Sequence, residues 1–182
     1  MAPRYARKPL PELSNSGSRT ANVRRSPVNA PARPDSPPQL EDFPFRVTDN
    51  VRFADLDPNQ HVNNAVYATY FETGRVTLMK DRGYGLMPPG LAWMMVRLDM
   101  HFRAELSWPN TIEMGLGLIK FGRTSVTFDQ VVFCSGKCIA SAQSTSVLID
   151  EASHRPTPLT AEIVRSFQPW LRRGVDVAQP VL

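Results

Sequence analysis

The sequence predicts an α+β domain in which one long helix lies on one face of an antiparallel sheet. Three patterns lead to this. Apolar residues alternate at Phe45, Val47, Val51 and Phe53, the period of a strand with one wet face. Val66, Tyr67, Tyr70, Phe71 and Leu78, with Gly74 on the same stripe, then recur at the three-and-four spacing of a helix. Four more alternating runs follow, separated by short turn-forming clusters. One strand, one helix and four strands give a sheet with the helix packed against one face.

Each element has its own signals. The first strand is read over residues 45–53, with Pro58 closing the extended segment. The helix is read over residues 65–80, with Asn63 or Asn64 as its N-cap. Gly74 in mid-helix costs about 1 kcal/mol relative to alanine, which predicts close approach of another backbone. Gly83-Tyr84-Gly85 and Pro88-Pro89-Gly90 end the helix and form a loop. Next, Val96, Leu98, Met100 and Phe102 alternate with Arg97, Asp99, His101 and Arg103. The Trp108-Pro109-Asn110 turn leads to Ile112, Met114, Leu116 and Leu118, Phe121-Gly122 to Val126, Phe128 and Val132, and Ser135-Gly136 to residues 139–149. Turns this short imply a meander. Pro156-Thr157-Pro158 ends the last strand, and residues 160–172 form a short helix capped by Thr160.

Charge divides the chain. Residues 1–41 carry seven Lys/Arg, three acids and eight of the seventeen prolines, and their surplus accounts for the whole net charge of +4. Such a basic, Pro/Arg/Ser-rich segment buries too little apolar surface to offset its ordering entropy and reads as a disordered tail. A transit peptide and a nucleic-acid or membrane arm are the alternatives for it. Residues 42–172 make one domain and 173–182 a C-terminal tail. The balanced charge of the domain gives no electrostatic reason for a polyanionic partner such as nucleic acid. No apolar run reaches the ~20 residues of a membrane span, and no signal-peptide pattern is present. The expected location is cytoplasmic, or the mitochondrial matrix if residues 1–41 are a transit peptide. Cys134 and Cys138 flank a Ser135-Gly136-Lys137 turn and either face each other across it or stand as two reduced strand cysteines. Further ligands for zinc are lacking nearby.

Chemistry is concentrated in Asp55-Leu56-Asp57-Pro58-Asn59-Gln60-His61-Val62-Asn63-Asn64, between the first strand and the helix. A carboxylate and an imidazole beside a helix N-terminus, with its free N–H groups and partial positive charge, suit hydrolysis. Blander readings stand beside this one. Asp55 caps the turn or pairs with a basic residue, Asp57 is a turn residue before proline, His61 is structural, and Asn63 is a helix cap. Tyr67, Tyr70 and Phe71 are core residues or an aromatic wall. Glu72 pairs with Arg75 or another arginine, or adds a second carboxylate. His101 and His154 are surface residues.

The stretch DLDPNQHVNNAVYATYFETGR (55–75), with GRTSVTFDQVVF (122–133) and RPTPL (155–159), resembles the hot-dog fold acyl thioesterases. The likeness extends to the acyl-carrier-protein thioesterases of plants, the single-domain bacterial acyl-CoA thioesterases and the 4-hydroxybenzoyl-CoA thioesterase-like group. It implies an antiparallel five- to six-stranded sheet wrapped around a central helix, and a homodimer or dimer of dimers with the active site between protomers. It implies that Asp57 is the general base or nucleophile, that Asn59 and His61 position water, and that the backbone N–H near Asn64 polarises the thioester carbonyl. It further implies an acyl-CoA or acyl-carrier-protein thioester as substrate, with no metal or redox cofactor. Asn63, Tyr67, Lys120 and Arg123 are then candidate substrate contacts, the last two meeting coenzyme A phosphates or forming an ordinary solvated hairpin. Trp93-Met94-Met95 would line the acyl pocket. The plant enzymes place an acid and a cysteine beside a sequence like RTSV in a second repeat; here Lys120, Phe121 and Gly122 precede Arg123-Thr124-Ser125-Val126, and no cysteine is carried over. A hot-dog dehydratase or hydratase and a non-catalytic acyl-CoA-binding module are the alternatives.

Overall fold

The computed structural model describes residues 38–81 and 85–180. Most of the tail expected over residues 1–41 lies outside that range, as do residues 82–84 of the expected loop. The elements are β1 (Phe45–Asn50), α1 (Val66–Lys80), β2 (Leu91–Phe102), β3 (Thr111–Phe121), β4 (Ser125–Cys134), β5 (Lys137–Asp150) and α2 (Ala161–Phe167). The five strands form one antiparallel sheet in the order β1-β3-β4-β5-β2.

That order corrects the simple meander. β3, β4 and β5 are joined by hairpins as expected, but β2 pairs with β5 and not with β3. The connection over residues 103–110 crosses the end of the sheet instead. It is pinned on the way by Arg103 N–H to Ile139 O (2.8 Å), by Val62 N–H to Leu106 O (2.7 Å), and by burial of Leu106. Eight residues span the three inter-strand steps of about 5 Å each with slack. β1 stops at Asn50, three residues before its expected end, because Phe53–Asp55 winds into a 3-10 turn. β2 begins earlier than the alternation over 96–103 implied, and a bulge between Met95 and Arg97 resets its pleat. Val96 sits at that bulge and is exposed, while Leu98 and Met100 pack inward.

Helix α1 buries Tyr67, Tyr70, Phe71, Gly74, Arg75, Leu78 and Met79, one continuous stripe, against the sheet. Ile112, Met114, Leu116 and Leu118 of β3, Val126, Phe128 and Val132 of β4, and Leu148 of β5 supply the opposing surface. A single buried amide ties the layers together. Gln130 on β4 donates to Phe71 O (2.8 Å) and accepts from Arg75 Nη1 (3.0 Å) and Ser144 Oγ (2.7 Å). Burial lowers the pKa of Arg75, and the charge of nearby Glu72 opposes that shift.

The far face of the sheet carries a smaller cover. Gly115 leaves room for Phe43, whose ring a Cβ at 115 would meet at 2.9 Å. Arg172 lies over that ring at 4.1 Å and pairs with Asp42 (3.2 Å) and Asp129 (3.3 Å). Burial pushes the Asp129 carboxyl up, against the pull of Arg172. Leu40 packs beside Phe43, and Val177 is buried in the main core, so the packed chain extends past both ends of the 42–172 span. Thr160 caps α2 as expected, accepting from Ile163 N–H at 3.3 Å; the helix ends at Phe167 and places Ile163, Val164 and Phe167 in the core.

One open reading is resolved, in favour of two free strand cysteines, and one local reading changes. Cys138 pairs with Phe133 and Cys134 with Lys137, so the two thiols point to opposite faces of the hairpin and pack in different clusters. Gly74 is not forced by a close backbone: a Cβ there would meet Gln130 Nε2 at 3.9 Å and Met114 Cβ at 4.0 Å, ordinary contact distances. Gly74→Ala therefore removes a helix penalty without overpacking. It is expected to raise unfolding free energy by about 0.5–1 kcal/mol in urea titrations.

Candidate active site

The polar junction folds into a tight loop held at both ends. Leu56 and Val62 form an antiparallel bridge, Asp57 N–H donates to His61 O (2.8 Å), and Gln60 N–H donates to Asp57 O (3.0 Å). Pro58 fits the second position of that turn, where its ring presets φ. Gln60 follows at φ 65, a left-handed conformation uncommon outside glycine and asparagine.

Asp55 anchors this loop to the helix. Its carboxylate is buried, and Oδ2 accepts from Tyr70 Oη (2.7 Å) and Arg52 N–H (2.8 Å). The Arg52 guanidinium stands 3.9 Å away, and the carbonyl of Asp55 accepts Asn63 N–H at 2.9 Å. Burial and the bond to Asp55 push the Tyr70 phenol well above the ordinary tyrosine value of 10.0.

The Asp57 carboxylate is half-buried and turned into its own loop. Oδ1 accepts Asn59 N–H (2.7 Å) and, more loosely, His61 N–H (3.4 Å); Oδ2 stands 3.4 Å from Asn59 Nδ2. A carboxylate has about four lone-pair sites, so these bonds fix its direction and leave capacity for a water. Along the chain into α1 the N–H groups of Val62, Asn63, Ala65 and Val66 all find acceptors. That of Asn64 meets none among the described residues. The N-cap position of α1 falls on Ala65, not on the expected Asn63 or Asn64; Asn63 Oδ1 instead accepts Ala65 N–H at 2.9 Å in the turn that leads into the helix.

Asp57, His61 and Asn64 open onto one cleft of about 270 Å³. Its remaining walls are Val62 and Tyr67 from the junction and helix, and Phe102 to Leu106 from the end of β2 and the crossing loop. Tyr67 and Phe102 pack edge to face at 5.2 Å, an aromatic wall open on one side. Among the described residues no cluster of three His, Cys, Asp or Glu side chains is placed to hold a metal. No described helix is long and apolar enough to cross a membrane.

Residues 51–168 match the model of the thioesterase-like superfamily, well over half of the chain. The chain belongs to that superfamily. Solved structures share its fold. A Pseudomonas aeruginosa protein, PA5185, superposes with a TM-score of 0.67 at 24% identity, covering 76% of this chain and 99% of that one. A Thermus thermophilus thioesterase, solved with coenzyme A and zinc, superposes with a TM-score of 0.61 at 28% identity over 70% of this chain and 94% of its own. The DHNA-CoA thioesterase of Staphylococcus aureus gives 0.55 at 17% identity, covering 63% and 79%. The sheet wrapped around one helix in this thioesterase-like chain is thus the hot-dog arrangement that its motif resembles.

Of the residues singled out in the sequence, the cleft gathers Asp57, His61, Asn64 and Tyr67. Asn59 braces the carboxylate from outside, and Asn63 serves the helix start. Asp55 is the buried turn-capping residue, Glu72 lies on the exposed helix face, and His101 and His154 are exposed. Lys120 and Arg123 stand at the β3–β4 turn, the opposite end of the sheet from the cleft. Of Trp93, Met94 and Met95, Trp93 packs on Phe167 and the two methionines are exposed near the middle of β2. The sequence reading missed Phe102, Arg103 and Glu105 as cleft residues; the alternation runs on through Arg103, Ala104, Glu105 and Leu106, so no local signal marks where the chain leaves the sheet.

The Asp55–Tyr70 bond carries a prediction. Tyr70→Phe leaves a buried carboxylate short of a donor and is expected to cost about 1–3 kcal/mol near pH 7. In the wild type, both folded and unfolded chains keep the phenol proton below pH 10, so this group adds no slope there. Above it the unfolded chain releases the proton while the fold retains it, so stability falls; Tyr67, also raised by burial, adds in the same direction. Urea unfolding across this range is expected to show a shallower alkaline loss in Tyr70→Phe than in the wild type.

Proposed function

We propose that the protein is an acyl thioesterase that hydrolyses an acyl-CoA, or an acyl-carrier-protein thioester, to a free acid and a thiol. The observation that carries this reading is that Asp57, its carboxylate oriented, and Asn64, its N–H unpartnered among the described residues, line the same cleft. Asp57 takes a proton from water as the oxygen attacks the thioester carbon. The Asn64 N–H, at the positive end of α1, receives the oxyanion. Collapse breaks the C–S bond, and the thiolate recovers the proton from Asp57. His61 orients the water, Asn59 holds the carboxylate, and the acyl group rests on Tyr67 and Phe102. All these steps use groups of the chain itself and water.

The site is completed by a second copy. β2 forms a margin of the sheet twelve residues long, with Met94, Met95, Val96 and Phe102 about half exposed or more. A long apolar margin is a template for strand pairing. Antiparallel pairing of β2 with β2 of another copy brings that copy's β3–β4 turn to the end of the sheet where this cleft lies. Lys120 and Arg123 of the second copy then approach the outer end of the coenzyme A, which they do not reach within one chain. Light scattering is expected to give at least twice the chain mass; a monomer that turns over substrate would reject this arrangement.

The decisive assay is thiol release from short, long and aryl acyl-CoAs, with Asp57→Asn as control. Turnover is expected for the wild type, and a fall of about a hundredfold or more in kcat for the variant. Thiol release at an unchanged rate in Asp57→Asn would reject the assigned base. Hydration of an unsaturated acyl-CoA without thiol release would identify a hydratase, and tight binding without either reaction a carrier.

A further inference from the structure

His61 is held at two levels. Its main chain is tied to Asp57 through N–H to Oδ1 (3.4 Å) and through its carbonyl (2.8 Å from Asp57 N). Its ring Nε2 stands 3.4 Å from Oε2 of Glu105, far along the chain. Glu105 is well placed for this, because its neighbours are fixed. Ala104 N–H bonds Ile139 O at 3.1 Å, and Leu106 is buried with its carbonyl on Val62 N–H. The crossing loop therefore holds Glu105 on the cleft wall beside His61, its side chain largely exposed to solvent.

We infer that Glu105 is a positioning residue for the proposed hydrolysis, acting through His61. A carboxylate beside Nε2 favours the tautomer with the proton on Nε2, which leaves Nδ1 as the ring's lone pair. That lone pair accepts the second hydrogen of the attacking water while Asp57 accepts the first. The charged residues that share the cleft with the ring are Asp57 on its own loop, Glu105 on the crossing loop, and Arg103, whose Nε is turned away to Ser141 Oγ (3.1 Å). At 3.4 Å the Glu105 contact is longer than a charge-assisted hydrogen bond, as contacts in an unliganded site often are before substrate closes them. Both side chains are solvent-accessible, so the pair contributes little to folding and its effect falls on the reaction.

This inference rests on the thioesterase reading, and two measurements separate the fates of the two. The first is steady-state thiol release. Glu105→Ala is expected to lower kcat by about tenfold with KM nearly unchanged. Glu105→Gln, which still offers an oxygen to Nε2–H, should restore most of that loss. In a His61→Ala background, Glu105→Ala should have no further effect. A KM rise at constant kcat, or an equal loss with and without His61, would overturn the inference. The second is the imidazole tautomer, read by ¹⁵N–¹H correlation in the free protein and needing no turnover. Nε2–H is expected to dominate in the wild type and in Glu105→Gln, with both tautomers populated in Glu105→Ala. The same spectrum for all three would sink the proposal even if thiol is released; the expected spectra without thiol release would leave the contact standing and reject the thioesterase reading.

Discussion

The Tyr70 hydroxyl donates to a buried carboxylate of Asp55, and the geometry of the cleft follows from that bond. Asp55 also receives Arg52 N–H through its side chain and Asn63 N–H through its carbonyl. One residue thus joins the 3-10 turn after β1, the second turn of α1 and the segment that starts the helix. The loop between those points has little freedom left. Leu56 must bridge Val62, and Asp57 must lie beside His61. A buried acid is costly unless its lone pairs are met; here two strong donors meet them.

The helix that carries Tyr70 is itself located by the sheet. Its apolar stripe sets one face, but apolar contact alone allows a helix to slide or rotate by a fraction of a turn. The Gln130 amide removes that freedom, since its bonds to Phe71 O, Arg75 and Ser144 have a single geometry. The end of the helix beside the cleft is therefore positioned by polar contacts at two levels, Tyr70 to Asp55 and Phe71 to Gln130. The crossing loop closes the arrangement from the other side by bonding Val62 and lining the cleft.

Much of this was legible in the sequence, because the informative features are local. The stripe from Tyr67 to Leu78 and the density of polar groups over residues 55–64 need only spacing to interpret, and they located the helix and the loop; of the four candidate catalytic residues that the resemblance added, Asp57, His61 and Asn64 line the cleft. Features that depend on distant pairing were not legible. The turn at Trp108-Pro109-Asn110 looked like a hairpin, yet β2 is drawn to β5 because the crossing loop finds partners in Ile139 and Val62. The bulge at Met95/Arg97 inverted the apparent facing of Val96, and no local signal marks it. Gly74 implied a tight approach that the structure replaces with ordinary contacts. Gln130 did leave a sign, a polar residue at an inward position between Phe128 and Val132, and Asp55 was correctly read as a turn-capping acid. Glu105 left none, since its partner His61 is close only in the folded chain.

In the proposed hydrolysis a thioester carbonyl sits between the Asn64 N–H and the Asp57 carboxylate. A crystal structure of Asp57→Asn with a ketone analogue of an acyl-CoA, its sulfur replaced by methylene, tests that placement directly. The account predicts the carbonyl oxygen within hydrogen-bond reach of Asn64 N–H, the carbonyl carbon facing residue 57, and the acyl group on Tyr67 and Phe102. An analogue bound with its carbonyl away from the start of α1, or seated elsewhere on the sheet, would contradict it.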